Sequence, residues 1–358
     1  MTDAPDPTSL GIVQLLADDI TWDGFTIQGV NRAENSPGMY TSPTSSGYLI
    51  RDTIFFDNGN GIHLGASGDH PTLVCRNRFT ADNEFNTAGY GIFSDEGAKQ
   101  VLITSNLFER HNAAAIFLGD EGDQPRQRDI LIEHNTSVDD MSFATIFNST
   151  RVRVTSNWIQ ARVDDPPFTL KPASAIFIGA RNNDIVVQKN KITSASGNGI
   201  HISDTSGQAD PDPETPPPAN VIVRKNKVRN TRSSGIEVSA TGTGYRVLDN
   251  RSLANTLYGL HFTDDTAGGT VTGNTALDNE DTDCKDESDP LANHWTDNVV
   301  RTAAPRIICT APTTLPDNHD GKTHDKQKFK KHSKHHKKWK KQKKHRPDPC
   351  ACTLPWRF

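Results

Sequence analysis

The chain has 358 residues, only 34% of them hydrophobic and 7% aromatic, with Gly, Asn, Asp and Thr plentiful, a mixture that disfavours long helices. No stretch approaches the roughly 18 consecutive apolar residues of a membrane span, and the N-terminal residues lack the basic start and apolar run of a secretory signal. The net charge of -5 hides an asymmetry: residues 322–346 hold twelve Lys and one Arg against Asp325, and removing that +12 leaves about -17 on the rest of the chain.

One pattern repeats from about residue 20 to about residue 300. Residues 91–122 show it best: two short apolar alternations around a turn on Asn106, then the start of the same pattern again. Aligned on that turn, asparagines fall at Asn77, Asn106, Asn135, Asn157, Asn190, Asn226, Asn250, Asn274 and Asn298, with Asp52 and Asp23 in the same place earlier. Three residues before each turn residue stand Leu49, Val74, Ile103, Ile132, Val154, Val187, Val223, Val247, Val271 and Trp295, an apolar column that predicts one strand position always pointing inward. A second strand follows, usually opening on Gly or Ala and continuing with Ile62, Ile92, Ile116, Ile146, Ile176, Ile200, Ile236 or Leu260.

The steps from Asn250 to Asn274 to Asn298 are 24 residues each. That period is too short for a strand-helix unit and suits a coil of short strands. Stacked coils place like residues about 4.8 Å apart, so a column of buried Asn can hydrogen-bond along the stack. Departures from the period predict loops at residues 80–90, 119–129, 160–174 and 203–219, confined to two corners, where solenoids usually build a binding face.

The pattern Φ-x-Φ-x-x-Asn-x-Φ followed by Gly-Ile-x-Φ, with Φ apolar, resembles the right-handed parallel β-helix proteins of the pectate-lyase-like superfamily, in particular secreted, actinobacterial-type members, over roughly residues 18–310. The resemblance implies an all-β fold: a right-handed, single-stranded parallel β-helix of about ten to eleven coils at residues 18–311. Residues 1–17 are expected as a truncated or irregular cap, 312–346 as a disordered Lys/His-rich tail, and 347–358 as a terminal Cys-x-Cys and Pro-Trp-Arg-Phe motif. The family's N-terminal capping helix is missing, so Met1 is expected to be an internal start of a longer secreted precursor. Trp295 supplies a bulky last rung, and the segment 284–309 looks like the family's closing unit, which implies a disulfide between Cys284 and Cys309. Cys75 is expected as an outward-facing, inert thiol.

In Gly-Ile-x-Leu the Ile and Leu face inward and x faces out, which gives an outward column of His63, Phe93, Phe117, Phe147, Phe177, His201, Glu237 and His261. Four phenylalanines in successive coils would form an exposed stripe roughly 14 Å long, suited to stacking on sugar rings unless the insertion with Phe168 and Leu170 covers it. Phe93, Phe117, Phe147 and Phe177, with His63 and His201, are the expected ligand-binding set. Beside the stripe, Glu96 falls one rung from Asp120, with Asp95, Glu121 and Asp123 close by; this set suits calcium, or else forms a solvated turn. The resembling lyases use Ca²⁺ to neutralise a uronate while a basic side chain takes the adjacent proton, which implies Lys99, Arg110 and His111 as catalytic candidates. The hydrolase and alginate-epimerase signatures of the superfamily are absent: Asp139-Asp140 and Asp264-Asp265 are bare doublets.

The tail run Lys337-Lys338-Trp339-Lys340-Lys341 suits a cell-wall or other polyanion held through residues 322–346; solvated disorder, or a soft metal bound with Cys350 and Cys352, are the alternatives. The expected function is a secreted or cell-surface monomer that binds an extracellular acidic polysaccharide and modifies it in a lyase-like way. The competing classes are a non-catalytic adhesion or spacer protein tethered by its tail, and a periplasmic metal-centre maturation factor.

Overall fold

The computed structural model describes residues 11–30, 36–81, 89–119, 127–163, 173–205, 215–288, 292–305 and 308–309. The first ten residues, the tail from residue 310, and the central parts of the four predicted loops (82–88, 120–126, 164–172 and 206–214) lie outside the described residues. No described helix is long and apolar enough to cross a membrane.

Three parallel sheets of 12, 11 and 10 strands run the length of the described chain. Each coil visits them in turn: Tyr90–Ser94 lies in the first sheet, Lys99–Thr104 in the second, Leu107–Glu109 in the third, and Ala114–Leu118 returns to the first sheet one rung on. The expected all-β, right-handed parallel β-helix is the fold. Its core is built from the inward side of every strand. The first sheet contributes pairs such as Ile116 and Leu118, the second Ile130 and Ile132, and the third one residue per rung. There Phe55, Phe79 and Phe108 stack with centroids 4.8 Å apart, and full burial of each ring is worth about 1.5–3 kcal/mol.

The asparagine column is a continuous ladder between the second and third sheets. Asn135 shows its unit: Oδ1 accepts from the backbone N–H of Asn106 at 2.9 Å and from its Nδ2 at 3.1 Å, while its own Nδ2 donates to the Ile103 carbonyl at 2.9 Å and to Asn157 Oδ1 at 3.1 Å. The residue before each ladder Asn turns the chain through the left-handed region, for example Ser105 (φ 56°), His134 (φ 54°) and Lys225 (φ 56°). Non-glycine residues rarely adopt that conformation, so the amide hydrogen bonds hold a bend that the chain would otherwise avoid.

The first coils depart from the expected alignment by one residue. Ile50 pairs with Val74, and Thr53 N–H donates to Asn77 Oδ1 at 3.0 Å, so Ile50 and Thr53 hold the inward and ladder positions given to Leu49 and Asp52. Asp52 instead sits in the left-handed bend (φ 51°) and pairs with Arg76. Trp295 is the predicted last rung: it packs edge-on to Phe262 at 5.2 Å and donates to Asp286 at 2.6 Å.

Cys284 and Cys309 are both buried, with their side chains in hydrogen-bonding contact. Burial, with the Cys309 hydrogen bond adding to it, pushes the Cys284 thiol well up. Cys75 corrects the other expectation: at the end of a second-sheet strand it is fully buried and disulfide-bonded.

Candidate functional site

Residues in register on the outward face of the first sheet form one column: Tyr40, His63, Phe93, Phe117, Thr145, Phe177, His201, Glu237, His261 and Lys285. Phe147 is absent from it. Ile116 pairs with Ala144 and Leu118 with Ile146, which puts Thr145 on the outward rung and Phe147 in the turn after the strand. A slip of two residues leaves the in-out alternation intact, so the apolar pattern could not expose the error.

The ring of Phe147 nevertheless returns to the column. It is 5% exposed and lies over Gly179, where a Cβ would overlap it. Its centroid stands 5.8 Å from Phe117 and 5.5 Å from Phe177, in the gap that Thr145 leaves. The rings therefore run without a break: Tyr40 to His63 at 5.4 Å, His63 to Phe93 at 5.3 Å, Phe93 to Phe117 at 5.2 Å, then through Phe147 to Phe177, and on to His201 at 5.3 Å. Tyr90, three residues before Phe93 on the same strand, widens it, 5.1 Å from Phe93 and 5.3 Å from Phe117. Phe93, Phe117 and Phe177 are half-buried, so the stripe is less open than the sequence predicts.

Polar groups close both ends. At the first, His63 Nε2 meets Asp95 Oδ1 at 2.6 Å, and the Tyr40 hydroxyl donates to Glu96 at 2.9 Å. Burial and the Glu96 carboxylate push the Tyr40 phenol up to about 12. Asp95 and Glu96 thus face back onto the column. Asp120, Glu121 and Asp123, the rest of the expected acidic set, lie outside the described residues.

At the second end Glu237 bridges two imidazoles, with Oε1 3.4 Å from His201 Nε2 and Oε2 3.1 Å from His261 Nδ1, and also accepts from Ser234 at 3.0 Å. Burial alone would raise the Glu237 carboxyl, but the His261 hydrogen bond, the two imidazoles and Ser234 outweigh it and hold it at about 2. Burial lowers the His201 pKa, with Glu237 opposing that shift and His261 adding to it. The chain of contacts continues from His261 to Glu287 at 3.2 Å, from Glu287 to Lys285 at 2.5 Å, and from Lys285 to the Tyr258 hydroxyl at 2.9 Å. A neutral imidazole beside an ionised carboxylate can exchange hydrogen bonds with hydroxyl groups and can accept a proton. The alternation placed His201, Glu237 and His261 on one face; their linkage, and the contacts of His261 with Glu287 and of Tyr258 with Lys285, carry no local signal, since these partners are 24 or more residues apart.

The three catalytic candidates are not brought together. Lys99 opens a second-sheet strand just after the Asp95–Glu96 corner. Arg110 and His111 stand at the opposite corner, where the third sheet returns to the first. His111 is 3% exposed; its Nδ1 meets Asp140 Oδ1 at 2.6 Å, and Asp140 also accepts from Ser137 at 2.6 Å, so the pair fastens two turns inside the coil. The bare Asp139-Asp140 doublet thus has a structural use.

Calcium wants six to eight oxygens, and of the expected set the described part is Asp95 and Glu96, already engaged by His63 and Tyr40. Among the described residues no group of three or more His, Cys, Asp and Glu is placed to hold a metal ion.

The right-handed beta helix region family matches residues 38–212. The chain is a right-handed parallel β-helix repeat protein. The β-helix also matches, over residues 173–308, the family of the periplasmic copper-binding protein NosD. Among solved structures it is similar to the mannuronan C-5 epimerase A-module of Azotobacter vinelandii, at 12% identity and a TM-score of 0.47 over 81% of this chain and 85% of that one. A periplasmic alginate epimerase matches at 12% identity and a TM-score of 0.47, over 83% and 79%. A tailspike protein of E. coli bacteriophage HK620 in complex with a pentasaccharide matches at 14% identity and a TM-score of 0.47, with 82% of this chain against 58% of the tailspike chain, less than two thirds of it. These likenesses describe a shared coil and nothing finer. No curated protein matches the chain in sequence.

Proposed function

We propose that the β-helix binds an extracellular polysaccharide along the outward face of its first sheet. The observation that carries the proposal is the unbroken run of rings from Tyr40 to His201, at a rung spacing set by the backbone, with hydrogen-bonding His and carboxylate groups at either end. Rings partly sunk in the surface present fixed edges and faces against which the apolar C–H faces of sugars can stack, while His63, His201 and Glu237 serve hydroxyl groups.

Affinity electrophoresis of the full chain in gels containing alginate, polygalacturonate or neutral dextran tests the proposal. Phe117→Ala and Phe177→Ala are each expected to weaken retention about 10- to 100-fold, the loss corresponding to 1–3 kcal/mol per stacked ring. Equal retention of both variants and the parent would remove the ring column as a binding surface. Ultraviolet absorbance of unsaturated uronates, followed on the acidic polymers, separates binding alone from lyase chemistry.

One observation favours a second reading, the match of residues 173–308 to a periplasmic copper-binding family. Isothermal titration with copper decides it: stoichiometric binding lost in His201→Ala and His261→Ala would support copper handling over carbohydrate binding. The tether reading rests on residues 322–346, which lie outside the described residues.

A further inference from the structure

The third sheet carries a second column, on a different face from the rings. Trp158, Lys191, Lys227 and Arg251 stand in register on four successive strands, all exposed, and Arg229 lies one pleat from Lys227 on the same face. Lys189 and Lys225 occupy the exposed bend before two of these strands; Asp249, in the same bend of the next coil, is the acidic member of that row.

Several other surface arginines are ion-paired. Arg51 is paired with Asp23, Arg78 with Glu109 and Arg151 with Asp129, in each case across adjacent rungs. Among the described residues none of Lys191, Lys227, Arg229 or Arg251 has such a partner, although the chain outside its tail carries about -17. Like charges directly opposite one another on neighbouring strands, about 4.8 Å apart, repel and cost stability. The ladder therefore weakens the free protein, and a ligand with anionic groups at a similar repeat would relieve the strain.

The surface beside the ladder has the shape for such a ligand. A shallow groove of about 280 Å³ is lined by Lys191, Lys227, Arg229 and Arg251 together with Leu253, and Trp158 continues the column at one end. We infer that this face binds an acidic polysaccharide lengthwise, with Lys191, Lys227 and Arg251 taking the acid groups of successive sugars, Leu253 lying under an apolar sugar face and Trp158 stacking on the next unit. A nucleic-acid duplex, whose phosphates advance about 3.4 Å per strand, does not keep step with a straight column at 4.8 Å. The inference does not depend on the ring column of the first sheet.

The test uses the full chain, tail included, with polygalacturonate as the probe and single-stranded DNA and neutral dextran as comparisons. Combining Lys191→Gln, Lys227→Gln and Arg251→Gln is expected to lower affinity for polygalacturonate by about tenfold or more at 50 mM salt, and to flatten its decline between about 50 and 200 mM. Dextran should respond to neither change. Without polyanion the triple variant should melt no lower than the parent, because a repulsion has been removed. Phe117→Ala, by contrast, should lower affinity for polygalacturonate by a similar factor at about 50 and 200 mM salt, leaving the salt dependence itself unchanged, which separates the two faces. Should the triple variant fail to fold, the single Lys227→Gln at its exposed site reads the same effect at smaller size. Unchanged affinity would assign all polyanion binding elsewhere, and a larger loss for DNA than for polygalacturonate would make the ladder a nucleic-acid surface; either result overturns the inference.

Discussion

Replacing Asn135 with Ala is expected to lower the unfolding free energy by roughly 2–6 kcal/mol, the sum of two buried groups that lose their partner at about 1–3 kcal/mol each. The side chain is 1% exposed and sits mid-ladder. Its removal strips the backbone N–H of Asn106 of its acceptor and the Ile103 carbonyl of its donor, and it also breaks the amide contacts to Asn106 and Asn157. Alanine supplies neither donor nor acceptor, and water cannot reach the site without opening the coil. The left-handed bend at His134 would lose the bonds that hold it. Urea unfolding followed by circular dichroism measures the change, with Arg128→Ala on the same coil, 51% exposed at its side chain, as a control expected within about 0.5 kcal/mol of the parent. A loss below about 1 kcal/mol for Asn135→Ala would mean that the ladder follows from the fold and does little to hold it.

Glu237→Gln is expected to cost on the order of 3 kcal/mol at neutral pH, and the deficit should vanish in acid. Glu237 is held at about 2 against an ordinary 4.5, and its side chain is 17% exposed. The depressed value means that the folded state releases this proton more readily than the unfolded chain. The contribution is therefore fully present above pH 4.5 and is lost as pH falls toward about 2; about 2.5 pKa units at 1.36 kcal/mol each set its size. Gln keeps the shape and one acceptor oxygen, so the comparison isolates the charge. His201 adds a second window. Burial lowers its pKa below 6.5, so the unfolded chain binds its proton first and stability declines as pH drops below about 6.5. Melting temperatures at pH 7, 5 and 3 should thus show parent and variant falling together at first, then converging only below about 4.5. Parallel curves down to pH 3 would show that Glu237 is not the anchor of the His201–His261 pair.

The repeat itself was legible because a β-helix writes its core into the chain at a fixed period. The inward columns ending in Val74, Ile103 and Ile132, and the ladder from Asn77 to Asn298, follow from alternation and spacing alone, since each residue performs the same task one rung above the last. The outward column of His63, Phe93, Phe117, Phe177, His201 and Glu237 followed by the same rule. Register within a coil was less secure: at Phe147 a slip of two residues preserves the alternation, and at Asp52 a short first strand offers too few apolar positions to pin it.

Tertiary structure alone decided what the outward residues touch. Phe147 fills the gap above Thr145 because Gly179 leaves room for its ring, and His111 turns inward because Asp140, 29 residues later, is placed to receive it. The His201–Glu237–His261–Glu287–Lys285 chain and the ladder of Lys191, Lys227 and Arg251 join residues from separate coils, whose side-chain contacts depend on loop lengths that vary from coil to coil. Periodicity determines which way a side chain points; the stacking of unequal coils determines its neighbours, and with them its charge, its burial and its use.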